Sequence, residues 1–323
     1  GAGAPKSNDG KFRTKGWEAM VNWRDQIGSV KYNLGFSLAD YKSKVLQFTD
    51  MTNVPFPGSL GSGDRIENWN GNAKNYYLVG RSLTPVYVFQ TDGIFQTQEE
   101  VDAYYEMYYW NADHTAPKAG NIIPAPADSG TGRLRPGARK VVDLDGDGVI
   151  TKDDIYYAGD RDPHLTFTIK AGLEWKGIDV NAFFQGVGNQ VILRQGQIPY
   201  LWRTNYVMQN KTYMGKTWTP DNPNAEYTIA SRDQNFNSWN YQYKDISLQK
   251  NRYIRLKSLV VGYTLPQQWT AKAGLSRVRL YFSGDDLWEW TKVKDGYDPE
   301  YGAETNNSFP FSRLLSFGVD VTF

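Results

Sequence analysis

What most constrains this chain is a two-residue alternation of apolar and polar side chains, repeated over several long segments. From Trp17 the apolar positions are Trp17, Ala19, Val21 and Trp23, with Glu18, Met20, Asn22 and Arg24 between them. After Gln26-Ile27-Gly28-Ser29 the pattern resumes as Val30, Tyr32, Leu34, Phe36 and Leu38 against Lys31, Asn33, Gly35 and Ser37. Neighbouring side chains of a strand point to opposite faces, so this predicts a hairpin with one greasy face and one mostly wet face. A second hairpin carries Leu165, Phe167, Ile169, Ala171, Leu173 and Trp175 on one face, turns at Lys176-Gly177 and returns through Ile178, Val180, Ala182 and Phe184. The stretch from Ile254 to Leu265 also alternates, but its phase slips near Ser258, which predicts a bulge. Val278, Leu280 and Phe282, then Leu315, Phe317, Val319, Val321 and Phe323, complete the pattern.

Seven strands are predicted, at about 12–25, 29–42, 163–176, 178–193, 251–265, 277–290 and 311–323. The joins at 26–29 and 176–177 are tight and that at 266–276 is modest, whereas those at about 50–162, 194–250 and 291–310 are long. Outer-membrane barrels sort their connections this way, with short periplasmic turns and long extracellular loops. The chain has no apolar run long enough for a membrane-spanning helix, but a membrane-spanning strand needs only about 9–11 residues with one apolar face. The expected class is therefore all-β, part of a large antiparallel transmembrane β-barrel. Bacterial single-chain barrels have even strand numbers, and an open edge in lipid leaves backbone groups unpaired. Seven strands thus lead to the expectation that the barrel closes with strands on another polypeptide or on an N-terminal portion outside this sequence. The alternative is a soluble, calcium-stabilised carbohydrate-binding or glycoside-hydrolysing β domain whose greasy faces meet each other.

Charge and chemistry narrow the function. With 36 Lys+Arg against 35 Asp+Glu the net charge is +1, which argues against a nucleic-acid partner, since phosphate neutralisation needs a basic excess or patch. Cysteine is absent, so disulfides and thiolate chemistry are excluded. His114 and His164 stand far apart, and no serine sits in a nucleophile elbow. Glu99-Glu100 and Asp285-Asp286 are adjacent carboxylates that do not single out an acid and a base. The glycine-rich GSLGSGDR at 58–65 lacks the Lys-Ser/Thr of a phosphate loop. No catalytic residue is expected.

The segment DLDGDGVITKDD at 143–154 has the spacing of an EF-hand loop. Asp143, Asp145, Asp147 and Asp154 occupy its positions 1, 3, 5 and 12, Gly148 stands where the chain must turn, and Val149 would offer its carbonyl. Thr151 could hold a water, and Ile150 would pack inward. The expected ion is Ca2+, with Mg2+ possible in so hard a ligand set. A metal-free Asp-Gly turn is the alternative. The flanks, Arg139-Lys-Val-Val and Ile155-Tyr-Tyr, are too β-prone for the helices of a calcium sensor, so the loop reads as a structural clip.

Within the first long loop, Thr97 and Glu100 form a capping box, followed by Val101, Tyr104, Tyr105, Tyr108 and Tyr109 at helical spacing, so one short loop helix is predicted. The second long loop is rich in aromatics and amides, and Trp202, Trp218, Trp239 and Tyr241 are its candidate contacts for substrate or for a lid partner. Packing within the loop is the competing use of these rings. Trp17, Trp175, Trp288 and Trp290 suit an interfacial aromatic girdle.

The runs DLDGDGVITKDDIYYAGDRDPHLTFTIKAGLEWKGIDVNAFFQGVGN, NRYIRLKSLVVGYTLP and DDLWEWTKVKDGYDPE, with DGIFQTQEEVDAY and the ending FGVDVTF, resemble the C-terminal third of SusC/RagA-type TonB-dependent transporters of Bacteroidetes. The resemblance implies a 22-stranded outer-membrane barrel whose plug and TonB box lie outside this sequence. It further implies TonB-energised import of oligosaccharides or peptides, with a SusD-like surface lipoprotein as a lid. In that setting the cation loop would order an extracellular segment at the mouth, and Phe323, ending the last strand, resembles the signal read by the barrel assembly machinery.

Overall fold

The computed structural model describes residues 10–48, 80–126, 132–194, 213–294, 298–301 and 312–323. Seven long strands dominate: β1 (Gly10–Ile27), β2 (Val30–Phe48), β3 (His164–Trp175), β4 (Ile178–Asn189), β5 (Tyr253–Thr264), β6 (Arg277–Thr291) and β7 (Leu314–Thr322). They form one sheet in chain order, each antiparallel to the next, as the alternation predicts. The outer edges of β1 and β7 have no strand partner among the described residues, so the sheet is open.

The turns follow from their residues. Ile27 faces Val30 across Gly28-Ser29, with Gly28 at φ +61°, and a glycine at the first central position is what a two-residue II′-type hairpin requires. At the second hairpin Lys176 and Gly177 both have positive φ, the I′ arrangement. The phase slip near Ser258 is a register shift between Leu256 and Ser258 against both β4 and β6. The bulge keeps Leu256 and Trp288 paired on the same face as Val261 and Phe282 below it.

One face of this sheet is apolar and open. Phe36, Leu280, Leu315, Phe317 and Val319 are all exposed, Phe317 at 83%. The faces do not close on each other as in a sandwich; a contiguous apolar surface of this kind needs an apolar medium. A strand of 12 residues such as β3, at about 3.3 Å per residue and a tilt of about 45°, rises about 28 Å, enough for the roughly 25 Å apolar band of an outer-membrane barrel. Trp17, Trp175, Trp288 and Trp290 are exposed as expected of girdle residues. Trp269, in the short helix Gln267–Thr270 of the third turn, is exposed as well, at a position outside any strand pattern.

At the opposite end from the tight turns, residues 80–126, 132–162 and 213–250 fold together into a single cap. The predicted helix is present as α1 (Gln98–Tyr108), where the Thr97 hydroxyl accepts from the Glu100 amide. The Glu100 carboxylate bonds the Gln96 amide, one residue earlier than in the standard box. Val101, Tyr105 and Tyr109 are buried, confirming the packing face. The expectation of one loop helix is corrected by a second, α2 (Gln234–Tyr241), capped by Asp233, whose carboxylate accepts from the Asn235 and Phe236 amides. Its run QNFNSWNY is amide-rich and has little helical propensity, so packing rather than local preference makes it helical. Phe95, Leu134, Ile150, Phe236 and Trp239 form the shared core of the cap.

Candidate functional site

The polar face of the sheet is built from charges held across strands. Arg279 on β6 donates through Nε and Nη2 to the two carboxylate oxygens of Asp179 on β4, at 2.9 and 2.6 Å, and reaches Asp320 on β7 at 3.3 Å. The β6–β4 pair spans the intervening strand β5 directly above Gly262, where an added Cβ would lie 2.5 Å from the guanidinium and from Asp179 Oδ1. Towards the cap, Arg255 is buried among Glu289, Asp298 and Glu300, and Lys257 bonds Asp286 and Glu300 at 2.8 and 3.1 Å. This cluster ties the segment Pro299–Tyr301 to the inner wall. No sequence signal finds these pairs, since their members come from three separate regions of the chain.

The cation loop is folded much as its spacing predicts. Asp143, Asp145 and Asp147 bring carboxylate oxygens within 4.8 Å of one another. Asp143 accepts from the amides of Gly146 and Gly148 at 2.8 and 2.9 Å, and Asp147 from Val149 at 2.8 Å. Gly148 has φ +80°, the turn that position needs, and Ile150 is fully buried. Asp154 stands outside the group of three carboxylates. Its oxygens accept from the amides of Leu144, Thr151 and Asp145 at 2.7, 2.7 and 3.4 Å, joining the two ends of the loop. Burial raises its carboxyl above the ordinary value, against the lowering by these amides. Lys118 Nζ bonds the Gly148 carbonyl at 2.8 Å and the Met107 carbonyl at 2.7 Å, linking the loop to α1.

The described candidate contact rings pack within the cap. Trp218, Trp239 and Tyr241 are all buried. Trp218 Nε1 donates to Gln96 Oε1 at 2.9 Å, Trp239 Nε1 to the Arg139 carbonyl at 2.9 Å, and the Tyr241 hydroxyl pairs with Thr228 at 2.7 Å. Each ring stitches the second long loop to the first or to itself, and Tyr241 also borders a cavity beside Tyr213 and Tyr227. Trp202 lies outside the described residues. Phe323 follows β7 with its ring 91% exposed, while Ser276 bonds the carbonyls of Thr322 and Phe323.

A sheet of this order, with one apolar face bare, the other ionic, and its long loops folded at one rim, defines a section of a transmembrane β-barrel. No family model matches the chain. It is 24% identical to TonB-dependent receptor P3 of Formosa agariphila over 339 aligned residues, covering 100% of this chain and 30% of that protein. It is also 24% identical to TonB-dependent receptor P26 of the same organism over 330 residues, covering 98% of the chain and 30% of the relative. Among solved structures, it superposes on the RagAB peptide transporter with a TM-score of 0.65 at 17% identity, over 98% of this chain and 30% of that one. The RagAB peptide importer in its closed-closed state gives 0.64 at 18% identity. The chain is thus similar in sequence to two TonB-dependent receptors, and in fold to the barrel of the RagAB transporter. It spans about three tenths of the length of the relatives it matches.

Proposed function

We propose that this chain forms part of the wall and mouth of an outer-membrane importer driven through TonB, which takes up oligosaccharides or peptides and works with a SusD-like surface lipoprotein. The observation that carries this reading is the seven-stranded open sheet, apolar and bare on one side and ion-paired on the other. The apolar side meets outer-membrane lipid, the ionic side faces the interior, and strands outside this sequence complete the wall. The cap stands at the mouth, where the lid lipoprotein and the substrate meet it, and TonB acts through the part of the protein outside this sequence. The RagAB structures are of a peptide transporter, which supports peptide cargo alongside oligosaccharide. The relatives are named receptors and a transporter, which supports transport rather than catalysis.

In the same reading Asp143, Asp145 and Asp147 hold a divalent cation, Ca2+ or Mg2+, that fixes the loop beside α1. Three carboxylates sharing one small region fit such an ion, whose charge offsets their mutual repulsion. The reading is tested by fractionating cells that express the full-length protein and measuring uptake of labelled oligosaccharides and peptides with and without a functional TonB. Recovery with the outer membrane and TonB-dependent uptake are expected. A detergent-free soluble protein would refute it.

A further inference from the structure

A cavity of about 250 Å³ lies where the cap meets the ends of β4, β5 and β6. Its walls bring Arg194, Lys250, Lys292 and Lys294 together, against one carboxylate, Glu226. The lysines are exposed, and none has a carboxylate within ion-pair distance among the described residues. Their backbones are fixed. Lys250 sits in the ribbon Leu248–Lys250 paired with Val191–Leu193, the Lys292 amide donates to the Arg252 carbonyl at 2.9 Å, and the Lys294 amide to Gln249 Oε1 at 2.9 Å. In a chain whose net charge is only +1, four cations around one hollow are a local concentration that folding alone does not require.

The rest of the lining sets the kind of ligand. Tyr227 is half-buried and stands edge-on to Tyr213, with ring centroids 4.7 Å apart, so part of its ring is open to the cavity. Ser247 and Gln249 add a hydroxyl and an amide. A ring surface, hydrogen-bonding groups and point-like ammonium charges match a hydroxyl-rich ring that carries an oxyanion. We propose that this cavity is a binding subsite for an acidic sugar unit, bearing a carboxylate or a sulfate, of an imported oligosaccharide. This rests on the import reading and names its substrate class.

The test uses the full-length protein in detergent and titration calorimetry with galacturonate trimer, galactose trimer and triaspartate. The uronate should bind on the order of tenfold or more tightly than the neutral sugar, and more weakly as salt is raised. Charge reversal by Lys292→Glu with Lys294→Glu should weaken it on the order of tenfold, whereas Lys292→Arg with Lys294→Arg should hold it within about threefold. Equal affinity for the neutral trimer, indifference to the reversal, or tighter binding of triaspartate would each overturn the proposal. Recovery of the variants in the outer membrane is scored separately, so failure of the subsite is distinguishable from failure of the import reading.

Discussion

Gly262→Ala is the sharpest test of how the polar face is held. The methyl group would lie 2.5 Å from Arg279 Nε and Nη2 and 2.5 Å from Asp179 Oδ1, so the ion pair bridging over β5 must lift away. Two charge-assisted hydrogen bonds are at stake, each worth about 1.5–3 kcal/mol when buried. The Arg279 and Asp179 side chains keep 15% and 20% of their exposure, so water recovers part of that loss. About 2 kcal/mol is expected for the pair together. Added to a background carrying both Arg279→Ala and Asp179→Ala, the same methyl should cost less than about 0.5 kcal/mol, since both groups it displaces are gone. Urea unfolding of the full-length barrel in detergent, run in both backgrounds, measures the difference. Equal costs in the two backgrounds would show that the strand itself, and not the ion pair over it, resents the side chain.

Four further outcomes are expected. Trp239→Ala should destabilise the cap by about 3–5 kcal/mol through the lost core volume and its bond to the Arg139 carbonyl, read as faster amide exchange around α2 with the strands unchanged. Chelating divalent cations, or Asp145→Asn, should raise protease cleavage near residue 145, and unaltered digestion would count against an ion there. Lys244 is buried with its ammonium 4.4 Å from the Phe89 ring centroid, and burial pulls it down to about 7. The unfolded chain therefore binds the extra proton between about pH 7 and 10.5, and cap stability should rise with pH across that window, a slope that Lys244→Met removes. Deleting Phe323 should lower the yield of inserted protein in cells while leaving the cap's epitopes intact, and normal insertion would remove its assembly role.

The strands were legible because their signal is local and repeats. Leu34, Phe36 and Leu38 name their face without knowing what lies beside them, and Lys176-Gly177 names its turn. Even the bulge at Ser258 is visible, since a one-residue slip moves every later side chain to the other face. Helix α1 was equally open, with a cap and a periodic aromatic stripe. Helix α2 was not, because its amides favour turns as readily as helices until Leu134 and Arg139 pack against it from a hundred residues away. The loop Asp143 to Asp154 was legible in shape from its fixed Asp and Gly spacing, whereas the amides that Asp154 accepts from became visible only in the fold.

The sequence by itself therefore determined which side chains share a face and where the chain reverses, because backbone geometry alone sets the two-residue period. Only the tertiary structure decided that Trp218, Trp239 and Tyr241 serve the cap's interior, that Arg279 finds Asp179 across Gly262, and that four cations surround one hollow. Those outcomes depend on which distant segments become neighbours, and that is fixed by the packing and desolvation of the whole, not by the order of residues in any one stretch.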